Sequence, residues 1–286
     1  MDPKELGLVA AQQLFQLKEL HYGFWEKGEK PTVVKFPHAQ ERYTEFLIEH
    51  IDQALGGKRE GRILDVGCGV GHTMCELLKI GYRVDGVVPY PWMAKMAEEN
   101  VRKIDPDGTK AKVHECRFEE FPVSNVQEKY RLIFFSESYQ YVPMQESFEL
   151  MRELLSTDGK VVIFDFFTRE GTLEKSTMRG GHTLVKFYGL ATRSGYEVNT
   201  DIDVTEHLSP NLTLANDILI NRIGPVTDTV DRFLGEKYRI TYNLVKFLLR
   251  KRLEKVKSKY FSGNRNETDF IKHKTYRLIV LDRARQ

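Results

Sequence analysis

Five short apolar segments alternate with helical segments between residues 62 and 167. In chain order the apolar segments are RILDVG, YRVDGVV, KVHECRF, RLIFFSES and GKVVIFDFF. The segments HTMCELLKIG, WMAKMAEENVRKI and QESFELMRELLS between them carry apolar residues at helical spacing. Strands that alternate with helices in this way form a parallel sheet covered on both faces. We therefore predict an α/β fold with helices on both faces of the sheet.

The flanking sequence adds helices before this pattern and two strands after it. Residues 3–20 predict an amphipathic helix, residues 21–32 an aromatic loop, and His38 to Leu55 a second helix. TLVKFYGLATRSG predicts a further helix, and YEVNTDIDVT and TYRLIVLDR predict two more strands. The expected sheet thus has seven strands. A long polar and helical insertion separates the last two.

We divide the chain according to these patterns. The predicted parts are an N-terminal helical lid (1–56), a core (57–205), a helical cap (206–274) and the last core strand (275–286). Within the cap, residues 237–261 form a helix with an apolar stripe and many lysines and arginines. Its basic face is either a solvated surface or a binding surface for an acidic carrier protein, nucleic acid or anionic lipid.

Composition limits the cellular compartment and the binding partners that we expect. The apolar runs are too short to span a bilayer, and the N-terminus MDPKELGL shows no signal-peptide pattern. Cys68, Cys75 and Cys116 are too few for a disulfide framework and predict a reducing, cytoplasmic setting. No zinc-ligand spacing or RNA-binding signature occurs, so we expect neither a metal nor a nucleic-acid partner. A homodimer is one option.

A glycine-rich turn follows the first predicted strand in ILDVGCGVG. Gly67, Gly69 and Gly71 recur at spacing two, directly after Asp65. Dinucleotide-binding turns instead read G-x-G-x-x-G, in which the second glycine lets a pyrophosphate approach. The turn therefore predicts a close backbone approach to a ligand that need not present a phosphate. A plain strand–helix turn without a ligand is the alternative.

ILDVGCGVG closely resembles motif I of the class I S-adenosylmethionine-dependent methyltransferases, in their small-molecule branch. The resemblance covers residues 60–168 and, more weakly, both ends of the chain. It implies a Rossmann-like sheet of seven strands with the last strand antiparallel, and S-adenosylmethionine as the cofactor. It also implies that the glycine turn faces the aminoacyl and ribose portion of that cofactor, and that Asp65 reaches its amino group, often through water.

Other segments extend the resemblance and imply further contacts. HYGFW is similar to a segment that lies over the cofactor, HECRFEEFP to the segment that lines the adenine, and FFSESYQYV to the loop that faces the methyl group. The implied cofactor contacts besides the motif I residues are Tyr22, Trp25, Val88, Pro89, Arg117, Phe118, Ser136 and Glu137. Tyr139 and Gln140 are the implied contacts to the methyl acceptor.

Two positions depart from the family pattern. Many relatives end the second strand in an acid that binds the ribose hydroxyls, but here Val88 occupies that place and Asp85 lies three residues earlier. Asp85 is either a ribose ligand after a local shift or an exposed strand residue. Arg117 stands where an Asp is common, and it either stacks on the adenine or is solvated.

The loop after the fourth strand contains a candidate residue for contact with the methyl acceptor. Many small-molecule relatives carry E-S-x-x-H there, whereas this chain has Tyr141 at the histidine position. An unperturbed tyrosine has a pKa of about 10 and is a poor base at neutral pH, so we expect Tyr141 to position the acceptor. The alternatives are a tyrosinate base, with its pKa lowered by an Arg or Lys of the cap, and a tyrosine that only packs the loop. His207, at the entry to the cap, is a second candidate for catalysis, against the alternative of a surface or packed histidine.

The predicted function is methyl transfer from S-adenosylmethionine to a nitrogen, oxygen or carbon atom of a small molecule, in specialised metabolism. A non-catalytic S-adenosylmethionine-binding or regulatory protein is the first alternative, because a base and the ribose acid are missing. RNA methylation is the second, but neither an N-P-P-Y motif nor an added RNA-binding domain is seen.

Overall fold

A computed structural model describes residues 19, 21–171, 178, 180–261, 263 and 266–284 of the chain. The helix predicted for residues 3–20 falls outside the described residues except for Glu19. Among the described residues, no helix combines the length and the apolar composition that crossing a membrane requires.

The described residues form one seven-stranded sheet in the order β3-β2-β1-β4-β5-β7-β6. Its strands are β1 (Arg62–Val66), β2 (Arg83–Val88), β3 (Ala111–Glu115), β4 (Tyr130–Ser136), β5 (Leu155–Thr168), β6 (Tyr196–Asp203) and β7 (Lys274–Arg283). The first five strands pair in parallel, whereas β7 lies between β5 and β6 and is antiparallel to both. The predicted seven-stranded, mostly parallel sheet is therefore confirmed.

Helices fill the connections between these strands. They are α1 (Phe36–Leu55), α2 (His72–Lys79), α3 (Pro91–Arg102), α4 (Met144–Leu154), α5 (Leu184–Arg193), α6 (Thr205–Leu208), α7 (Pro210–Asn216), α8 (Gly224–Lys237), α9 (Arg239–Tyr260) and α10 (Glu267–His273). A π-helical segment, Asp217–Ile223, joins α7 to α8. The described residues of the insertion predicted between the last two strands contain the helices α6 to α10.

The alternating side chains of the central strands build a core on each face of the sheet. Along β4, Leu132 and Phe134 point into the cluster formed with α1, α2 and α3, while Ile133 and Phe135 point into the cluster formed with α4 and α5. The helix α1 belongs to the first cluster, although the sequence division places it in the lid. Its packing against the sheet assigns it to the core.

The strand order determines where a ligand can bind. The chain moves outward from β1 to β2 and β3, then returns to the other side of β1 with β4. The carboxyl ends of β1 and β4 therefore lie next to each other at a reversal of strand order, which is where open α/β sheets bind ligands.

Candidate functional site

Two of the three glycines in the turn after β1 are required by packing. Gly67 has φ of 86°, and a Cβ there would lie 2.3 Å from the Cβ of Ser138. Gly71 has φ of 80°, and its Cβ would lie 3.1 Å from Ala97. The Gly67 amide donates to the Val87 carbonyl at 2.8 Å, which fastens the turn to β2. These glycines let the turn pack against the loop after β4 and against α3.

Gly69 differs from its neighbours because its Cβ position faces open space. It has φ of 55°, and no atom lies within 4 Å of a Cβ built there. The middle of the turn thus presents bare backbone at the carboxyl edge of β1. A ligand at this edge can approach the backbone without meeting a side chain.

Asp65 supplies a buried carboxylate beside this turn. It is 2% exposed, and within the described part of the chain no hydrogen bond to its side chain is found. Burial raises the pKa of this carboxyl well above its usual range. A buried carboxylate without a partner is unfavourable, and a cationic donor would relieve that cost. The ammonium group of S-adenosylmethionine fits this requirement, and the open space at Gly69 can accommodate the aminoacyl portion of the same cofactor.

The loop after β4 is held by a network of side chains from distant segments. Glu137 has φ of 52°, and its Oε1 accepts hydrogen bonds from the Tyr22 amide at 3.0 Å and the Tyr276 hydroxyl at 2.9 Å. The hydroxyls of Tyr276 and Tyr43 lie 3.0 Å apart, and the Tyr43 hydroxyl lies 3.0 Å from the Ser136 Oγ. The N-terminal segment, α1, β4 and β7 therefore meet at Glu137.

The carboxyl of Glu137 keeps one oxygen for a ligand. Both hydrogen bonds go to Oε1, and none to Oε2 is found among the described residues. Burial, reinforced by the nearby Asp165 carboxylate, raises the pKa of Glu137 to about 8. At neutral pH the group is thus close to its titration point. Such a carboxyl can accept or donate a proton.

Asp165 fixes the backbone of the same loop from β5. It is buried and accepts hydrogen bonds from the Gln140 amide at 3.0 Å, the Gln140 Nε2 at 3.2 Å and the Phe166 amide at 2.8 Å. Burial outweighs these hydrogen bonds and raises the pKa of Asp165 to about 7. The Gln140 side chain is therefore engaged with Asp165.

The tyrosines of this loop have opposite surroundings. Tyr139 is fully buried, its hydroxyl lies 3.2 Å from the Ser147 Oγ, and burial raises its pKa. Tyr141 is 69% exposed. Partial enclosure by protein atoms, together with Asp165 and Glu137, raises the pKa of the Tyr141 hydroxyl to about 12. Tyr141 is thus exposed with a hydroxyl that stays protonated at neutral pH, whereas Tyr139 packs inside the protein beneath the loop.

The described part of the N-terminal segment crosses the carboxyl edge of the sheet. The Glu19 carboxylate lies 3.0 Å from Nε2 of His72, at the start of α2, and accepts from the Thr44 hydroxyl at 2.8 Å. Since His72 directly follows the glycine turn, Glu19 ties this segment to the turn. Tyr22 ties the next residues to Glu137. The segment therefore touches both sides of the site.

Trp25 and His207 fasten the end of this segment to the cap. Trp25 is 0% exposed, and its indole donates to Asn211 at 3.1 Å. The His207 Nδ1 donates to the Trp25 carbonyl at 2.7 Å, and its ring stacks on Phe24 at 4.4 Å. In this arrangement Trp25 has no exposed surface for a ligand. A catalytic role for His207 stays a prediction.

The remaining predicted cofactor contacts lie at the ends of β2 and β3. Val88 is buried at the end of β2, and Pro89 after it is exposed. Phe118 is buried and packs edge-on against Phe135 at 5.4 Å. The Arg117 side chain is exposed, and its guanidinium lies 3.7 Å from the carboxylate of Glu119.

Asp85 fits neither of its two sequence interpretations. It is buried, with one oxygen 2.8 Å from the Arg62 guanidinium and the other 2.9 Å from the Tyr130 hydroxyl. Arg62 begins β1, so this ion pair lies toward the amino-terminal edge of the strands, away from Gly69. Asp85 therefore stabilises the sheet, and the expectation of an exposed strand residue is wrong.

Sequence reasoning did not single out Asp165, Tyr276, Tyr43, Asn211 or Glu19. One usable signal was an acid inside the apolar strand GKVVIFDFF, since buried carboxylates are uncommon without a partner. Tyr276 and Tyr43 carried no local signal. Their hydroxyls join the site through contacts between residues far apart in the chain.

Comparison with known proteins identifies the family. A family model described as a methyltransferase domain matches residues 39–192, more than half of the chain. The methyltransferase GfsG of Streptomyces halstedii is 26% identical over 223 residues, which are 72% of this chain and 76% of that protein.

Two solved structures share the fold over nearly the whole chain. A putative sarcosine dimethylglycine methyltransferase from Galdieria sulphuraria has a TM-score of 0.70 at 16% identity, covering 96% of this chain and 97% of that one. Geranyl diphosphate C-methyltransferase from Streptomyces coelicolor A3(2), in complex with Mg²⁺, geranyl diphosphate and S-adenosyl-L-homocysteine, has a TM-score of 0.66 at 17% identity, covering 99% and 98%. The chain belongs to the methyltransferase-domain family and is an S-adenosylmethionine-dependent methyltransferase.

Proposed function

We propose that this enzyme methylates a small-molecule acceptor that loses a proton in the reaction, and that Glu137 accepts this proton. The observation that carries the proposal is the Glu137 carboxyl, which is held by two donors on Oε1 and accepts none from the described residues on Oε2. Its raised pKa suits a group that takes a proton near neutral pH.

The cofactor side of the site supports this assignment. Asp65 would hold the ammonium group, and Gly67, Gly69 and Gly71 would line the aminoacyl and ribose portion with their backbone. Val88, Pro89, Arg117 and Phe118 lie at the strand ends where the rest of the cofactor is expected. Bound S-adenosylmethionine supplies an electrophilic methyl group on a positively charged sulfur.

Glu137 and Tyr141 have different roles toward the acceptor. A positioned base typically contributes about 10²–10⁴-fold to the rate. Tyr141 is a poor candidate for that base because its pKa is raised to about 12. Its hydroxyl instead donates a hydrogen bond that orients the acceptor. Ser136, Tyr43 and Tyr276 keep the Glu137 carboxyl in place.

The named relatives support a small-molecule acceptor. Geranyl diphosphate, sarcosine and dimethylglycine, after which the two structural neighbours are named, are small molecules, and GfsG is a methyltransferase of a Streptomyces species. We extend this to specialised metabolism and to an acceptor that is not a nucleic acid. The three cysteines are unpaired, which supports a reducing, cytoplasmic setting.

The test begins with the cofactor and ends with the acceptor. Calorimetry should show micromolar-range binding of S-adenosylmethionine and S-adenosylhomocysteine and none of NAD. Transfer of a radiolabelled methyl group should then be screened over hydroxyl, amine and activated-carbon acceptors, with wild type and Glu137→Gln side by side. Full activity of Glu137→Gln on a proton-losing acceptor would remove Glu137 from the mechanism. Binding of the cofactor without transfer to any small molecule would favour a regulatory protein.

A further inference from the structure

The helices α8 and α9 form an antiparallel hairpin that we call the cap hairpin, residues 224–260, with its tip at Tyr238. The Lys246 ammonium lies 2.9 Å from each carboxylate oxygen of Asp231 across the hairpin, and the Tyr242 hydroxyl donates to the same carboxylate. These contacts fix α9 alongside α8. They also neutralise a lysine and an aspartate close to the tip.

The cap hairpin carries most of the exposed large apolar side chains found in the described residues. Ile240 is 86% exposed, Phe247 73% and Leu248 70%. Phe233 on α8 and Leu244 on α9 are exposed as well. Apolar surface on this scale marks a binding surface on a folded protein.

The exposed apolar residues of α9 lie on more than one face of the helix and do not form a single stripe. Phe247, Leu248 and Leu249 are consecutive and all exposed, and successive residues of a helix point about 100° apart. A protein partner with one docking face would cover only part of such a surface. A fluid apolar phase covers all of it, and helices that are apolar all round belong in a core or in lipid.

Basic residues are concentrated in the second half of α9. Arg250, Lys251 and Arg252 follow directly on Leu249, are exposed, and also point in three directions. Lys255, Lys257 and Lys259 come next in the sequence, and Glu254 is the single acid between residues 250 and 260. The half of α9 toward the tip is thus richer in exposed apolar residues, with Arg239 and Lys246 as its basic residues. The half toward the body of the enzyme is richer in basic residues, although Leu253 and Val256 are also exposed there.

This order matches the order of layers in an anionic membrane. Apolar side chains at the acyl boundary, with lysines and arginines beside the headgroups, are typical of helices that bind membrane surfaces. A second copy packed in parallel along α9 would bring two strongly basic segments together, which repel each other. A second copy packed antiparallel would place the basic half of each helix against the apolar half of the other. We propose that the cap hairpin docks the enzyme on anionic lipid membranes, with its tip at the boundary between headgroups and acyl chains.

Vesicle co-sedimentation of the full-length protein tests this proposal. Vesicles of phosphatidylcholine with 30% phosphatidylserine should bind the enzyme at least tenfold more tightly than pure phosphatidylcholine at about 0.15 M salt, where screening still leaves close contacts. Ile240→Asp combined with Phe247→Asp should weaken binding at least tenfold. Val34→Asp is the matched control, because Val34 is also 86% exposed but lies outside the hairpin, and it should stay within twofold of wild type.

Charge reversal in α9 provides a second test of this proposal. Arg250→Glu combined with Lys251→Glu should remove the preference for phosphatidylserine and most of the salt dependence. All variants should bind S-adenosylmethionine like wild type, which shows that the core is folded. Equal binding to both vesicle types, or no binding to either, would overturn the proposal. A dimer in sedimentation velocity that Ile240→Asp dissociates, without vesicle binding, would assign the hairpin to a second copy instead.

Discussion

The glycine turn after β1 and the loop after β4 lie side by side at the same edge of the sheet, yet they are built differently. The turn presents backbone, and at Gly69 its surface is open space. The loop presents side chains, and Glu137 is held by Tyr22 and Tyr276 from opposite ends of the chain. The turn is thus made locally, whereas the loop is held by residues from remote parts of the chain.

This difference separates what is shared among relatives from what can vary. A backbone cradle serves the same cofactor in every member of a family and allows few residue types. A cradle of side chains can be rebuilt for another acceptor by substitutions in the N-terminal segment, β5 or β7. We therefore expect changes in the turn to affect all activity through binding, and changes in the loop to affect turnover.

The largest effect should come from Gly69→Val. A branched side chain would occupy the open space beside the turn and also sit at φ of 55°, where such residues are strained. Binding of S-adenosylmethionine should fall below detection in calorimetry. Gly108→Val is the control, because Gly108 has φ of 62° and no atom within 4 Å of its Cβ position, but lies in a turn after α3. Equal loss in both variants would point to strain alone.

Glu137→Gln should have the next largest effect, on turnover. The amide oxygen can keep both hydrogen bonds made by Oε1, but the side chain can no longer accept a proton. We expect kcat to fall about 10²–10⁴-fold, the usual contribution of a positioned base, with cofactor affinity nearly unchanged. A parallel loss of affinity would show that Glu137 serves the cofactor alone.

The pH dependence of the rate sharpens this prediction. The pKa of Glu137 is raised to about 8, so the free enzyme should gain kcat/KM as pH rises toward that value and the carboxylate forms. A positive sulfonium nearby favours the carboxylate and should shift this limb of the kcat profile to lower pH. The Glu137→Gln profile should be flat over the same range. A rise in rate with pH that persists in Glu137→Gln would identify another titrating group.

Asp65→Asn should weaken cofactor binding by about 10- to 150-fold, the scale of a lost hydrogen bond to a charged group of about 1.5–3 kcal/mol. The same change should stabilise the free protein at high pH. The folded-state pKa of Asp65 is raised above its unfolded value, so protonation favours folding and stability is lost as pH rises above about 4. Thermal melting should show an advantage of the variant that grows with pH. A destabilised variant would mean that Asp65 has a structural partner.

Tyr141→Phe should have the smallest effect, a loss in turnover of about 10- to 100-fold from one hydrogen bond of about 1.5–3 kcal/mol. Cofactor affinity should barely change, because the ring remains. Steady-state kinetics with the identified acceptor checks both values. A silent variant would leave Tyr141 as a packing residue, and a much larger loss with an altered pH profile would make it the base.

The features predicted from sequence were those with a local physical cause. Strands β1 to β5 and the helices between them follow from the spacing of apolar residues, and the turn follows from Gly67, Gly69 and Gly71. Val88 marks the end of β2, as expected from the resemblance. The basic helix predicted for residues 237–261 matches α9 within two residues at each end.

The parts that sequence reasoning missed depend on contacts between distant residues. Tyr276 and Glu137 are 139 positions apart, and Tyr43 and Tyr276 are 233 apart. Asp85 was misjudged because its partners Arg62 and Tyr130 lie on neighbouring strands. No periodicity or motif records such pairings, because each depends on the final strand order.

The position of β7 in the sheet also decides when the contacts to Glu137 can form during synthesis. β7 is synthesised after β1 to β6, but it lies between β5 and β6 and carries Tyr276. A nascent chain that ends before residue 274 can already form β1 to β5 and the glycine turn. It leaves the edge of β5 unpaired and Glu137 without one of its two donors. The glycine turn can therefore form early in translation, whereas the full set of contacts to Glu137 forms only after β7 has been synthesised.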